Sequence, residues 1–235
     1  MNAEQAEQAP QAAWAAARTS REGREHETRS LLVGCASRVF ARRGYARTTI
    51  ADITAEARVA RATFYVYFAS KEDVFRAVAL GVRDAFLAAH EIPGVDEDDP
   101  YELARESSAA FLAAYAANLD LMTVIEHQAL ADPGIRDVWH EIQERPLRRT
   151  ARYIERMTAQ GLARPAAPAR AVAEATIGMF ARFARTAPAD REGFDRTVDQ
   201  LTAMYLRLLG IPEAPPGAGG DRARGTGMTG RAEQG

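Results

Sequence analysis

Between residues 47 and 71 the side chains able to make directional contacts recur at short spacing: Arg47, Thr48 and Thr49, then Arg61, Thr63, Tyr65 and Tyr67, then Lys71. Ile50, Ile53, Ala57, Val59, Phe64 and Phe68 stand between them, spaced to anchor one side of two short helices around a tight turn. The chemistry such a set can do is recognition of a polyanion. An arginine can donate two hydrogen bonds to guanine O6 and N7, and a threonine methyl can touch thymine. Hydroxyl donors and a helix N-terminus favour phosphate oxygens. Arg61, Thr63 and Tyr65 are therefore candidates for reading base edges in a major groove. Arg47, Thr49, Tyr67 and Lys71 are candidates for holding phosphates, and Thr48 completes the DNA-facing set.

Other chemistries find less support. A helical enzyme would need a nucleophile and base, paired carboxylates or a metal cluster, and no constellation with supporting spacing occurs. Glu126-His127 and His140-Glu141 lie on neighbouring helices, and His140 shares a face with Glu144. Neither pair has the i, i+4 His-His spacing of a helical zinc site, so no metal and no cofactor is expected. Arg145, Arg148, Arg149 and Arg152 crowd one helix and could hold a phosphate-bearing ligand. Glu141, Glu144 and Glu155 beside them make a solvated, salt-bridged face the simpler reading.

The elements that position the recognition set are helices. The 235-residue chain is 47% hydrophobic and 26% charged, a globular composition, and its apolar spacing is helical almost throughout. Its net charge of -2 is unevenly placed: residues 18 to 71 carry +6, which leaves -8 for the remainder. A basic segment joined to an acidic one points to a polyanion partner for the first part alone. The single cysteine, Cys35, excludes an internal disulfide and lies on a helical stripe with Leu31, Leu32, Ala36, Val39 and Phe40, where a buried, inert thiol is expected. No run reads as long and apolar enough for a membrane helix and the start of the chain lacks a signal-peptide core, so a cytoplasmic protein without membrane contact is expected.

The first helix is expected over about 27 to 43, closed by Gly44, and the second from Thr49, with Asp52 completing a capping box. A fourth helix starts at Ser70 and runs to about His90, followed by a loop over residues 92 to 99. Helices then follow at about 100 to 117, 119 to 130, 135 to 160 with Pro146 as a kink, 168 to 187 and 190 to 210. Residues 1 to 25 and 212 to 235 are expected to be disordered tails.

At Thr48-Thr49-Ile50-Ala51-Asp52-Ile53, Thr63-Phe64-Tyr65-Val66-Tyr67-Phe68 and Ser70-Lys71-Glu72 the sequence resembles the TetR family, over roughly residues 28 to 80. The resemblance implies an all-α fold of about nine helices. A three-helix helix-turn-helix DNA-binding domain would occupy 26–70, and a helical ligand-binding and dimerisation domain 71–211. It further implies a homodimer held through the last two helices, a palindromic double-stranded DNA operator, release by a small effector, and no catalysis. Two residues depart from the family pattern. Arg58 stands in the turn where glycine is usual, and Ala60 stands where a serine usually caps the recognition helix. Val66, where the family often has a polar or bulky residue, alters the expected base preference.

Phe111, Tyr115, Met122, Trp139, Ile142, Met179 and Phe183, with His127 as a polar group, could line a cavity for a largely apolar effector. They could equally be packed core. A DNA-binding regulator that recruits a partner and takes no small molecule is the alternative, and a fully packed second domain would favour it.

Overall fold

The computed structural model describes residues 3–89, 99–188 and 190–211. These residues form eight helices and no strand: α1 (Ala3–Arg47), α2 (Ile50–Ala57), α3 (Arg61–Tyr67), α4 (Lys71–Ala88), α5 (Pro100–Ala129), α6 (Pro133–Ala159), α7 (Ala169–Ala184) and α8 (Arg191–Leu208). The two helices expected over 100 to 117 and 119 to 130 are one. Asn118 does not break α5, because its side-chain amide donates to the Ala114 carbonyl at 2.8 Å and so bonds within its own helix. The first helix also starts well before residue 27, through an alanine-rich stretch read above as part of a tail; alanine is the strongest helix former and needs no apolar stripe to propagate a helix. Most of the expected 92–99 loop and the C-terminal tail lie outside the described residues.

The helix starts follow their capping residues. Asp99 and Asp132 accept hydrogen bonds from the first turns of α5 and α6, each of which opens on a proline whose missing N–H would have had no partner there. Asp190 caps α8 in the same way through Gly193. Pro146 is buried inside α6, which continues through it.

One apolar cluster runs from Leu32, Phe40, Ile53 and Phe64 through Phe75, Val82 and Phe86 to Phe111, Leu112, Ile125, Ile142, Phe180 and Leu201. Helix α4 supplies its middle, so the N-terminal helices are packed onto the rest rather than tethered to it. Phe75 meets the edges of Phe40 and Tyr45, each at a ring separation of 4.9 Å. A second cluster, including Leu147, Ile154, Met157, Val172, Tyr205 and Leu209, closes the far end. Leu31 is a correction to the expected α1 stripe. It is 47% exposed, because the 100° step from Leu32 carries it off the packed face.

By length and composition α5 could cross a membrane, contrary to the sequence reading. Its apolar face is accounted for by packing within the fold: Phe111, Leu112, Tyr115, Met122 and Ile125 are all buried against neighbouring helices.

Candidate nucleic-acid interface

Helices α1 to α3 form a unit whose geometry is set by ion pairs and caps. Thr49 caps α2, its hydroxyl accepting from the Asp52 N–H, while Asp52 accepts from the Thr49 N–H at 2.9 Å and from its hydroxyl at 2.7 Å. These bonds and the nearby Arg43 guanidinium hold the Asp52 carboxyl below its ordinary range. Arg38 and Arg42 both reach Glu56, at 3.0 and 2.7 Å, lowering its pKa, and Arg43 pairs with Asp52. Three of the basic residues that suggested a polyanion footprint are thus partnered between α1 and α2. The signal missed in the sequence was the matching position of Asp52 and Glu56, one turn apart on α2.

Gly44 separates the body of α1 from its last residues at φ 73°, ψ 168°, a backbone region that only glycine enters readily. Arg58 takes the left-handed conformation in the turn, φ 53°, ψ 42°, with its N–H bonded to the Thr54 and Ala55 carbonyls. Ala60 stands at the N-cap of α3 and offers no side-chain bond. Both departures from the family pattern therefore occupy the backbone geometry that made glycine and serine the expected residues.

Helix α3 is pinned by Phe64 and Phe68, 0% and 1% exposed. This leaves Arg61, Ala62, Tyr65 and Val66 facing outward. Arg61 donates to the Tyr65 hydroxyl at 3.2 Å and lies over its ring. Thr63 and Tyr67 are half-buried on the flanks of this face. Arg47 is exposed, its Nε on the Arg43 carbonyl at 3.1 Å. Thr49 is exposed with its hydroxyl committed to Asp52. Lys71 is half-buried, its ammonium donating to the Tyr45 carbonyl at 3.2 Å and lying 4.2 Å from the centre of the Tyr45 ring.

Thr48 is a correction. It is 1% exposed and its hydroxyl donates to the Gly44 carbonyl at 2.7 Å, so it secures the bend after α1 and does not face outward. Val66, outside the expected set, is 75% exposed on the face itself.

The residues expected to line a cavity divide. Phe111, Tyr115, Met122 and Ile142 are buried, and Trp139, Met179 and Phe183 are half-buried against the same cluster. Phe111 lies 5.8 Å from Phe180 and Tyr115 4.7 Å from Phe86, ring centre to ring centre. Burial pushes the Tyr115 phenol up to about 12. His127 is a second correction, since it is exposed near the end of α5 and faces away from this group. Sequence reasoning overlooked Ser108, which is 0% exposed one turn before Phe111 with its hydroxyl unpartnered. An open depression of about 700 Å³ lies elsewhere, along the α6–α7 connection beside Thr158, Gly161, Arg164 and Pro168.

Residues 33–78 match the model of the family described as bacterial regulatory proteins, tetR family. The HTH-type transcriptional regulator HbdR of Aromatoleum sp. (strain CIB) is 32% identical over 94 residues, 40% of this chain and 39% of that protein, so the match spans well under half of that relative. A tetR-family regulatory protein from Rhodococcus RHA1 superposes with a TM-score of 0.64 at 20% identity, covering 79% of this chain and 98% of that one. A transcriptional regulator from Saccharomonospora viridis, solved in complex with choline, gives 0.61 at 21% identity over 80% of this chain and all of its own. Structures at that identity show the common all-helical fold, while residues 33–78 carry the specific match. The similarity to the tetR family of bacterial regulatory proteins is thus specific over residues 33–78.

Proposed function

We propose that this protein is a transcriptional repressor, cytoplasmic and without catalytic activity, that binds a palindromic DNA operator as a homodimer and leaves it when a small molecule binds the C-terminal helices. One observation carries the DNA-binding reading. The short helix α3 buries Phe64 and Phe68 and turns Arg61, Tyr65 and Val66 outward, an exposed side-chain set with the right chemistry for a major groove. Arg47 and Lys71 flank that face as phosphate contacts.

Dimerisation through α7 and α8 is consistent with Phe183, Phe194, Met204 and Leu208, large apolar side chains that pack against the core clusters and keep part of their surface exposed. An effector that prefers the conformer whose two recognition helices no longer match successive major grooves, roughly 34 Å apart, lowers operator affinity by its differential affinity for the two states. The unpartnered Ser108 hydroxyl, among Phe111, Leu112 and Tyr115, supports a ligand with one polar group and an apolar body. The close aromatic contacts of Phe111 and Tyr115 favour the other reading, a regulator that recruits a partner and takes no small molecule.

Electrophoretic shift of the DNA upstream of the protein's own gene, over a series of salt concentrations, tests the core of the proposal. Sequence-specific retention that outlasts competitor DNA at physiological salt is expected. Failure to retain any palindrome selected from random DNA would overturn it.

A further inference from the structure

The outward face of α3 consists of two unlike stripes. Arg61 and Tyr65, four residues apart, form a polar stripe joined by a 3.2 Å hydrogen bond. Ala62 and Val66, also four apart and rotated by one residue, form an apolar stripe with no hydrogen-bonding capacity beside it. Val66 is 75% exposed and Tyr65 48%. Two of the five exposed large hydrophobic residues among those described therefore fall within this seven-residue helix. A β-branched side chain is a poor helix former, and leaving it in water gains nothing for folding. An isolated exposed valine needs no explanation, but one that extends an alanine into a stripe beside the guanine-reading arginine has a natural counterpart.

In the major groove the apolar counterpart is the 5-methyl group of thymine, the only methyl that unmodified base pairs present there. The Ala62 and Val66 Cβ atoms are about 5–6 Å apart, on the order of two base-pair steps. We propose that the Ala62–Val66 stripe reads thymine by its methyl group, so that each operator half-site carries a thymine within two base pairs of the guanine bound by Arg61. The inference rests on the DNA-binding reading above and adds to it the chemistry of one base.

The full chain is first used to select operators from random DNA. Each thymine of the selected sequence is then replaced by deoxyuridine, which deletes the methyl and leaves every hydrogen-bonding group in place. At one or two symmetry-related positions affinity should fall about fourfold per methyl removed, the factor expected for losing one buried carbon. Val66→Ser, at a site too exposed to disturb the fold, should bind the thymine and uracil operators equally, because the coupling lies between that side chain and that methyl. Tight operator binding with no uracil-sensitive position overturns the inference while leaving the repressor reading intact. A uracil penalty that persists unchanged in Val66→Ser also overturns it. Failure to select any operator overturns the DNA-binding reading itself, and the inference falls with it.

Discussion

The Tyr45 hydroxyl donates a 2.8 Å hydrogen bond to the Glu72 carboxylate, joining the residues after the Gly44 bend to the first turn of α4. The bond lowers the Glu72 pKa, while burial and the same carboxylate raise that of Tyr45. Tyr45 also stacks on Phe40 and carries Lys71 over its ring. One side chain thus ties the helix-turn-helix to the helix that enters the C-terminal half.

Tyr45→Phe keeps the ring and removes only this bond. A loss of about 1 kcal/mol is expected, the low end for a charged acceptor because the carboxylate is exposed. The Glu72 pKa is depressed in the folded state, so this contribution is complete above the ordinary glutamate value. It fades as pH falls through the lowered one. Urea denaturation of the two proteins should therefore differ at neutral pH and converge in acid; a constant difference would place the effect in packing instead.

The turn between α2 and α3 should respond to its two unusual residues independently. A left-handed residue with a Cβ costs roughly 1–2 kcal/mol, and the extra freedom of glycine in the unfolded chain offsets about 0.5–1 kcal/mol of any relief. Arg58→Gly is expected to stabilise by roughly 0.5–1 kcal/mol, read as a higher urea midpoint at unchanged slope.

Ala60→Ser supplies a hydroxyl where the α3 N-cap has none. A gain of about 0.5–1 kcal/mol corresponds to a rise in melting temperature of about 1–4 °C for a chain of this size. No rise with an unchanged circular dichroism spectrum would mean that water already serves those N–H groups as well.

What the sequence disclosed and what it withheld divide by the range of the interactions. Thr49 with Asp52, Gly44 as a break, Arg58 in the turn and Pro100 at a helix start are settled within four residues of chain, and all were legible, whereas Pro133, read as part of a turn, opens α6 two residues before its expected start. Thr48, Leu31 and His127 were misplaced because a residue type and a stripe do not say which side of a helix a distant element will cover. Asn118 looked like a break only while its side-chain bond to Ala114 was out of view. Glu56 as the shared partner of Arg38 and Arg42, and Ser108 as a hydroxyl without a partner, depend on how α1 meets α2 and how α5 meets its neighbours.

Ser108→Ala tests that last residue directly. A buried hydroxyl without a partner costs about 1–3 kcal/mol in lost hydration, so its removal is expected to raise the melting temperature. A large destabilisation would indicate that the hydroxyl is satisfied in solution, by a water or by the Ala104 carbonyl one turn earlier.

Arg61 and Lys71 carry positive charge on the same unit but are held differently, and their alanine variants should separate base reading from anchoring. Arg61 is exposed and, among the described residues, bonds to Tyr65, four residues along its own helix, so Arg61→Ala should leave stability unchanged. It should reduce discrimination between operator and random DNA by roughly 1–3 kcal/mol. Lys71 is bound to the Tyr45 carbonyl and ring, so its removal should lower the melting temperature and weaken binding to all sequences alike. If the ammonium also meets a phosphate, the slope of log affinity against log salt should fall by about 1. Lys71→Met retains the aliphatic stem, and loss of affinity at unchanged stability in that variant would assign the ammonium to DNA. An unchanged salt slope would assign it to the fold alone, as the cap over the end of α1.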